Sequence, residues 1–155
     1  YASMAIHIIC DKESYNPGDE IHATIELHFD GPVKARAIYA QLYCMEKFKR
    51  TTTRAVPYAE IQEKKRLGLY VDEGYTQEER IDEQNKMVVE KKLGGEKSYR
   101  TDELKASLRL PGNANPTSHE FGHDNKITVW KLDVKVDISL APDIHEVKEI
   151  FVAGL

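Results

Sequence analysis

The stretch Trp130-Lys131-Leu132-Asp133-Val134-Lys135-Val136-Asp137-Ile138-Ser139-Leu140 decides how this chain folds. Trp130, Leu132, Val134, Val136, Ile138 and Leu140 occupy every second position, with Lys131, Asp133, Lys135 and Asp137 between them. Successive side chains of a strand point to opposite faces, so the pattern yields one apolar and one charged face, and no helix can bury it. The same alternation runs through Ile21, Ala23, Ile25, Leu27 and Phe29, set against His22, Thr24, Glu26 and His28. Weaker copies lie at Ile6, Ile8 and Cys10, at Ile38, Ala40, Leu42 and Cys44, at Leu104, Ala106, Leu108 and Leu110, and at Ile150 and Val152.

Turn signals separate these runs. Tyr15-Asn16-Pro17-Gly18-Asp19 combines a fixed φ at Pro17 with a free one at Gly18, Asp30-Gly31-Pro32 punctuates in the same way, and Gly94-Gly95 reads as a tight hairpin. Strands and turns with almost no helical periodicity predict an all-β fold, a two-sheet antiparallel sandwich. A chain of 155 residues suits one domain with one core, expected to span 4–155 with residues 1–3 foreign to it.

Charge narrows the function classes. Lys and Arg number 22 against 26 Asp and Glu, a balance of −4. A mildly acidic domain without a dense basic cluster is a poor match to a phosphate backbone, so no nucleic acid is expected. No apolar run approaches the ~18 residues that a spanning helix needs. Cys10 and Cys44 read as free thiols in a reducing, cytoplasmic setting, because a disulfide scaffold carries more cysteines in a shorter chain.

One segment departs from the strand pattern. From about 59 to 95 the chain is highly charged, and Thr76-Gln77-Glu78-Glu79 has the form of a capping box, which predicts a short helix over roughly 77–86 with an Asp82 to Lys86 pair. This excursion is expected between two strands, Lys65 to Val71 and Met87 to Leu93. Ile81 is the helix's one aliphatic residue, so the helix can bury little. A solvated decoration accounts for such a segment; a recognition element is the sharper alternative.

The chemical motifs are sparse. His119-Glu120-Phe121-Gly122-His123 fits H-E-x-x-H, which could make a metal-dependent hydrolase with His119 and His123 as ligands and Glu120 as general base. The motif works only on a helix, and Pro111-Gly112-Asn113-Ala114-Asn115-Pro116 before it and Asp124-Asn125-Lys126 after it favour a loop. No catalytic residue, resident metal or cofactor is therefore expected. His7, His22 and His28 could cluster if the first two strands pair. Along residues 35–45 both faces lack strong polarity. Tyr39, Tyr43 and Met45 opposite the core positions are candidates for an interface or for packing beneath the excursion, and Ile81 joins them as an interaction candidate.

Several of these segments, in this order, resemble the arrestin fold. Tyr15-Asn16-Pro17-Gly18-Asp19-Glu20-Ile21 resembles the turn and strand that open arrestin domains, and Val33 through Glu46 resembles the next strand. Leu110-Pro111 with Asn115-Pro116-Thr117-Ser118, followed by Ile127 to Val134, resembles the proline-rich loop and long strand; Glu149-Ile150-Phe151-Val152 resembles the last strand. The resemblance spans nearly the whole chain apart from 57–100. It implies an immunoglobulin-like β-sandwich and a non-enzymatic adaptor or scaffold role in trafficking or regulation, with a protein partner. Members of that family generally have two such domains, and the length here matches one. A structural half-module is therefore a further reading, dimerising through a sheet edge or pairing with a second sandwich.

Overall fold

The computed structural model describes residues 4–71 and 74–154. Its elements in chain order are β1 (Met4–Cys10), β2 (Glu20–Ala55), α1 (Tyr58–Arg66), β3 (Tyr75–Gly94), β4 (Lys97–Arg109), β5 (Lys126–Ile138) and β6 (Ile144–Ile150). All the pairings between strands are antiparallel.

β2 is the spine. Its first half, up to Ala35, pairs with β1 on one edge and β4 on the other; its second half pairs with β5 and β3. β3 and β4 therefore lie end to end along one edge of β2, joined at Gly95 and Glu96, while β1 and β5 share the opposite edge and β6 lies outside β5. The two halves pack face to face as a sandwich: Ile21, Ile25 and Leu27 belong to the same buried cluster as Ile38, Leu42, Leu132 and Val134. Fully burying one such side chain stabilises the fold by about 1.5–3 kcal/mol, which makes period two the controlling signal.

Local chemistry fixes the joints. Asp19 N–H donates to the Asn16 carbonyl at 3.0 Å, and Gly18 has φ +84°, so Asn16-Pro17-Gly18-Asp19 forms a type II turn. At the junction of β3 and β4, the Tyr99 hydroxyl donates to the Gly95 carbonyl at 2.6 Å. A Cβ on Gly94 would lie 2.3 Å from that hydroxyl, so any larger residue there forces the ring or the backbone to shift. The chain after β6 closes onto the first turn, with Tyr15 N–H donating to Phe151 and Ala153 N–H to Tyr15.

The excursion differs from its sequence reading. Residues 75–94 form β3, not a helix over 77–86, and the only helix among the described residues is α1. Glu79 does not cap Thr76; it pairs with Lys49 at 3.4 Å across the ladder, while Glu78 pairs with Arg54 and Asp82 with Arg50 instead of Lys86. A helix with one aliphatic residue has little to gain against thirteen consecutive ladder pairs, from Tyr43↔Met87 to Ala55↔Tyr75. Lys65 to Val71, expected as a strand, holds the end of α1 and the coil after it. There Gly68 at φ +71° and the bonds Gly68 N–H to Lys65 and Leu69 N–H to Lys64 form a Schellman cap.

Two further expectations change. Asp30-Gly31-Pro32 does not reverse the chain; β2 runs through it, and the ladder with β4 shifts register between His28 and Val33, leaving these residues in a bulge. Leu140 is not an inward residue of the long strand. β5 stops at Ile138, and Leu140 sits in the following turn at φ +62°, fully exposed.

Candidate interaction surfaces

Three surfaces carry unpartnered groups. The first is the gap between β1 and β6. Among the described residues β1 pairs only with β2, and β6 only with β5, so both are edge strands. They frame an open cleft of about 580 Å³ that includes Ile6, Ile8, His28, Glu26, Glu146 and Lys148. The Lys148 ammonium donates to the Ile8 carbonyl at 3.3 Å, which establishes that this carbonyl faces away from β2 into the cleft. The rings of His7 and His28 meet edge to face at 5.3 Å, because Ala5 lies opposite His28 in the register. His22 does not join them; it bonds the Ser107 hydroxyl on β4 at 2.9 Å.

The second surface is an arm. β5 begins opposite Phe48, so residues 49–55 and 75–81 continue as a two-stranded ribbon beyond the sandwich, with α1 near its tip. Nothing in α1 is buried. Cross-strand pairs neutralise the charge of the ribbon, Arg54 reaching both Glu78 at 2.6 Å and Glu60 at 3.4 Å. The apolar residues Tyr58, Leu67, Leu69, Tyr70, Tyr75 and Ile81 remain exposed.

The third surface is the outer face of the layer formed by β3, β2, β5 and β6. Tyr39, Tyr43 and Met45 lie there, half-buried, and Ile81 shares their face farther out, opposite Lys49. The last part of the excursion, in β3, runs alongside the tyrosines, with Met87 opposite Tyr43 and Lys92 opposite Tyr39. On their other side the Lys135 ammonium sits 5.1 Å from the Tyr39 ring centre, and Tyr43 donates to Gln41, whose amide donates to Glu90 at 2.6 Å. These bonds satisfy a buried glutamine and leave the ring faces partly open.

His119-Glu120-Phe121-Gly122-His123 forms an irregular loop between β4 and β5. His119 bonds Glu149 of β6 at 2.6 Å rather than converging with His123. Among the described residues no three His, Cys, Asp or Glu side chains group as metal ligands. Cys10 and Cys44 are free. Burial, with the Glu46 carboxylate as a second cause, pushes the Cys44 thiol up to about 11, so the thiolate is scarce at neutral pH.

Sequence reasoning missed Lys148, Glu146, Tyr75 and Met87. The sequence places the last strand at Glu149 to Val152, whereas β6 spans Ile144–Ile150; its earlier part escapes the pattern because Ile144 to Glu149 carry charge on both faces at the sheet edge. Tyr75 and Met87 flank the helix expected over 77–86, and only the continuous strand Tyr75–Gly94 puts them on the face of Ile81.

No family model and no curated protein matches the chain. Among solved structures it is similar to Spo0M, the sporulation control protein of Bacillus subtilis, with a TM-score of 0.63 and 14% identity over 98% of this chain. The chain spans 50% of that protein's length. No helix among the described residues is long and apolar enough to cross a membrane. The fold is an arrestin-like β-sandwich.

Proposed function

We propose that this domain is a non-enzymatic protein-binding scaffold that takes an extended segment of a partner along the open cleft between β1 and β6. The observation that carries this reading is the outward Ile8 carbonyl, which accepts from the Lys148 ammonium of β6 at 3.3 Å. Main-chain groups on one edge of a strand alternate by two residues, so Ile6, Ile8 and Cys10 all present theirs to the cleft. An added strand would satisfy these groups, and the facing β6 would supply its other wall. Such binding needs no resident cofactor or catalytic group. The role suits a cytoplasmic adaptor in trafficking or regulation, as the arrestin-like fold and the regulatory name of the Bacillus neighbour suggest.

Peptides selected from a random-sequence display library test the reading by amide hydrogen exchange. A bound peptide should slow exchange at Ile6, Ile8 and Cys10 by about tenfold or more at saturation. Selected peptides that protect other elements, or a library that yields no binder, would overturn it.

A further inference from the structure

The free edge of β3 carries a self-complementary pattern. Its register with β2 is unbroken from Tyr75 to Met87 and then shifts at Val88. The midpoint of 75 and 87 is 81. On this stretch the exposed large apolar residues are Tyr75 (69%), Ile81 (58%) and Met87 (45%), one at each end and one at the centre. The face they share reads Tyr75, Gln77, Glu79, Ile81, Glu83, Asn85, Met87, which is apolar, amide, acid, apolar, acid, amide, apolar in either direction. Among the described residues, β3 pairs with β2 alone, so its other edge presents unused main-chain groups.

We propose that β3 pairs antiparallel with β3 of a second copy, about a two-fold axis through Ile81. An isologous interface requires each contact to occur twice, and the palindromic pattern meets that requirement. In this register Ile81 meets its own equivalent, Tyr75 meets Met87, and Gln77 meets Asn85. On the other face Arg80 meets Asp82 twice; within one copy Arg80 already bonds Asp82 at 2.9 Å, so the four side chains form a network of alternating charge across the axis. Glu79 meets Glu83, and each has a counter-charge on β2: Lys49 lies 3.4 Å from Glu79, and Lys47 is opposite Glu83 in the ladder. The free edge of β2 in the arm does not suit a second copy of itself. Its Lys49, Arg50 and Arg54 are already paired with Glu79, Asp82 and Glu78 of β3, no apolar residue is placed symmetrically along it, and the Lys49 N–H is already bonded to Asn125. The regular stretch ends where Val88 and Val89 turn toward the core, which limits the pairing to the arm and its base. This inference concerns a different edge from the cleft of β1 and β6 and stands independently of what binds there.

Light scattering from about 5 to 500 μM should give a mass of twice 17.7 kDa that does not grow further. Asp82→Arg sets like charges opposite each other at both symmetry-related sites and should raise the dimer dissociation constant roughly tenfold or more. The reciprocal pair R80D with D82R should restore it. A second measurement is independent of that variant's folding: in a Cys10→Ser background, Ile81→Cys should form a disulfide between copies. Glu79→Cys should cross-link only when mixed with Glu83→Cys. A monomer at all concentrations would overturn the proposal. So would a dimer that ignores Asp82→Arg and fails to cross-link through position 81, or an assembly that keeps growing with concentration.

Discussion

At the residue scale, the contact between Gly94 and Tyr99 holds the joint where β3 hands over to β4. Tyr99 is buried, its hydroxyl bonds the Gly95 carbonyl, and no Cβ fits between ring and backbone at Gly94. Gly94→Ala forces the ring or the backbone to move and should cost about 1–3 kcal/mol. Tyr99→Phe removes only the hydrogen bond and should cost about 1 kcal/mol. In Gly94→Ala with Tyr99→Phe the costs should fall short of their sum, because the hydroxyl that clashes is gone. Urea unfolding of the two single variants and the double variant measures this; strict additivity would contradict a direct clash. Gly94-Gly95 was legible as a turn, but the partner was not, since Tyr99 looks like any aromatic next to Ser98 until the fold brings it back over the glycine.

At the scale of elements, α1 is a helix held by its ends. It buries nothing, so its stability comes from Glu60 in the first turn, Lys64, Lys65 and Arg66 in the last, and the left-handed Gly68. Gly68→Val should unwind the last turn, seen as loss of helical Cα chemical shifts over residues 63–66, while the unfolding midpoint of the sandwich stays within about 2 °C. A fall in the sandwich midpoint would mean that α1 packs against it. The sequence carried these signals: Pro57 before the helix, acid then base along it, and Gly68 after it. The capping-box match at Thr76 to Glu79 competed with them and misled, because Glu78 and Glu79 spend their charge across the ladder. The strand at 130–138 was legible because Trp130, Leu132, Val134 and Val136 of one face are buried and the other face is charged. Asp30-Gly31-Pro32 and Leu140 were not, since a bulge and a turn are chosen by pairing partners distant in the sequence.

At the scale of the molecule, sandwich and arm are separate in their energetics. The core draws on residues up to Cys44 and beyond Val88, while the ribbon outside Lys49 and Ile81 contributes no buried side chain. Replacing residues 49–81 with Asn-Gly joins two residues that face each other in the ladder, Phe48 and Asp82, at a position where β2 turns its main-chain groups toward β3, as a two-residue hairpin loop requires. The shortened protein should unfold within about 4 °C of the parent and should lose the self-association assigned to β3. A large drop in the midpoint would show that the arm supports the core. The candidate surfaces were only partly legible: Tyr39, Tyr43, Met45 and Ile81 do share one face, but which edges remain free depends on the pairing of the whole sheet.

The same pairing sets a timetable for synthesis. β2 takes its partners from β1, β3, β4 and β5, and β5 begins 71 residues after β2 ends, at Lys126 against Ala55. At about 5–20 residues per second, the second half of β2 waits roughly 4–14 s for that partner. During this interval Ile38, Ala40, Leu42 and Cys44 lie on a strand with an open edge, so the nascent chain is most vulnerable to aggregation before its last strands are made.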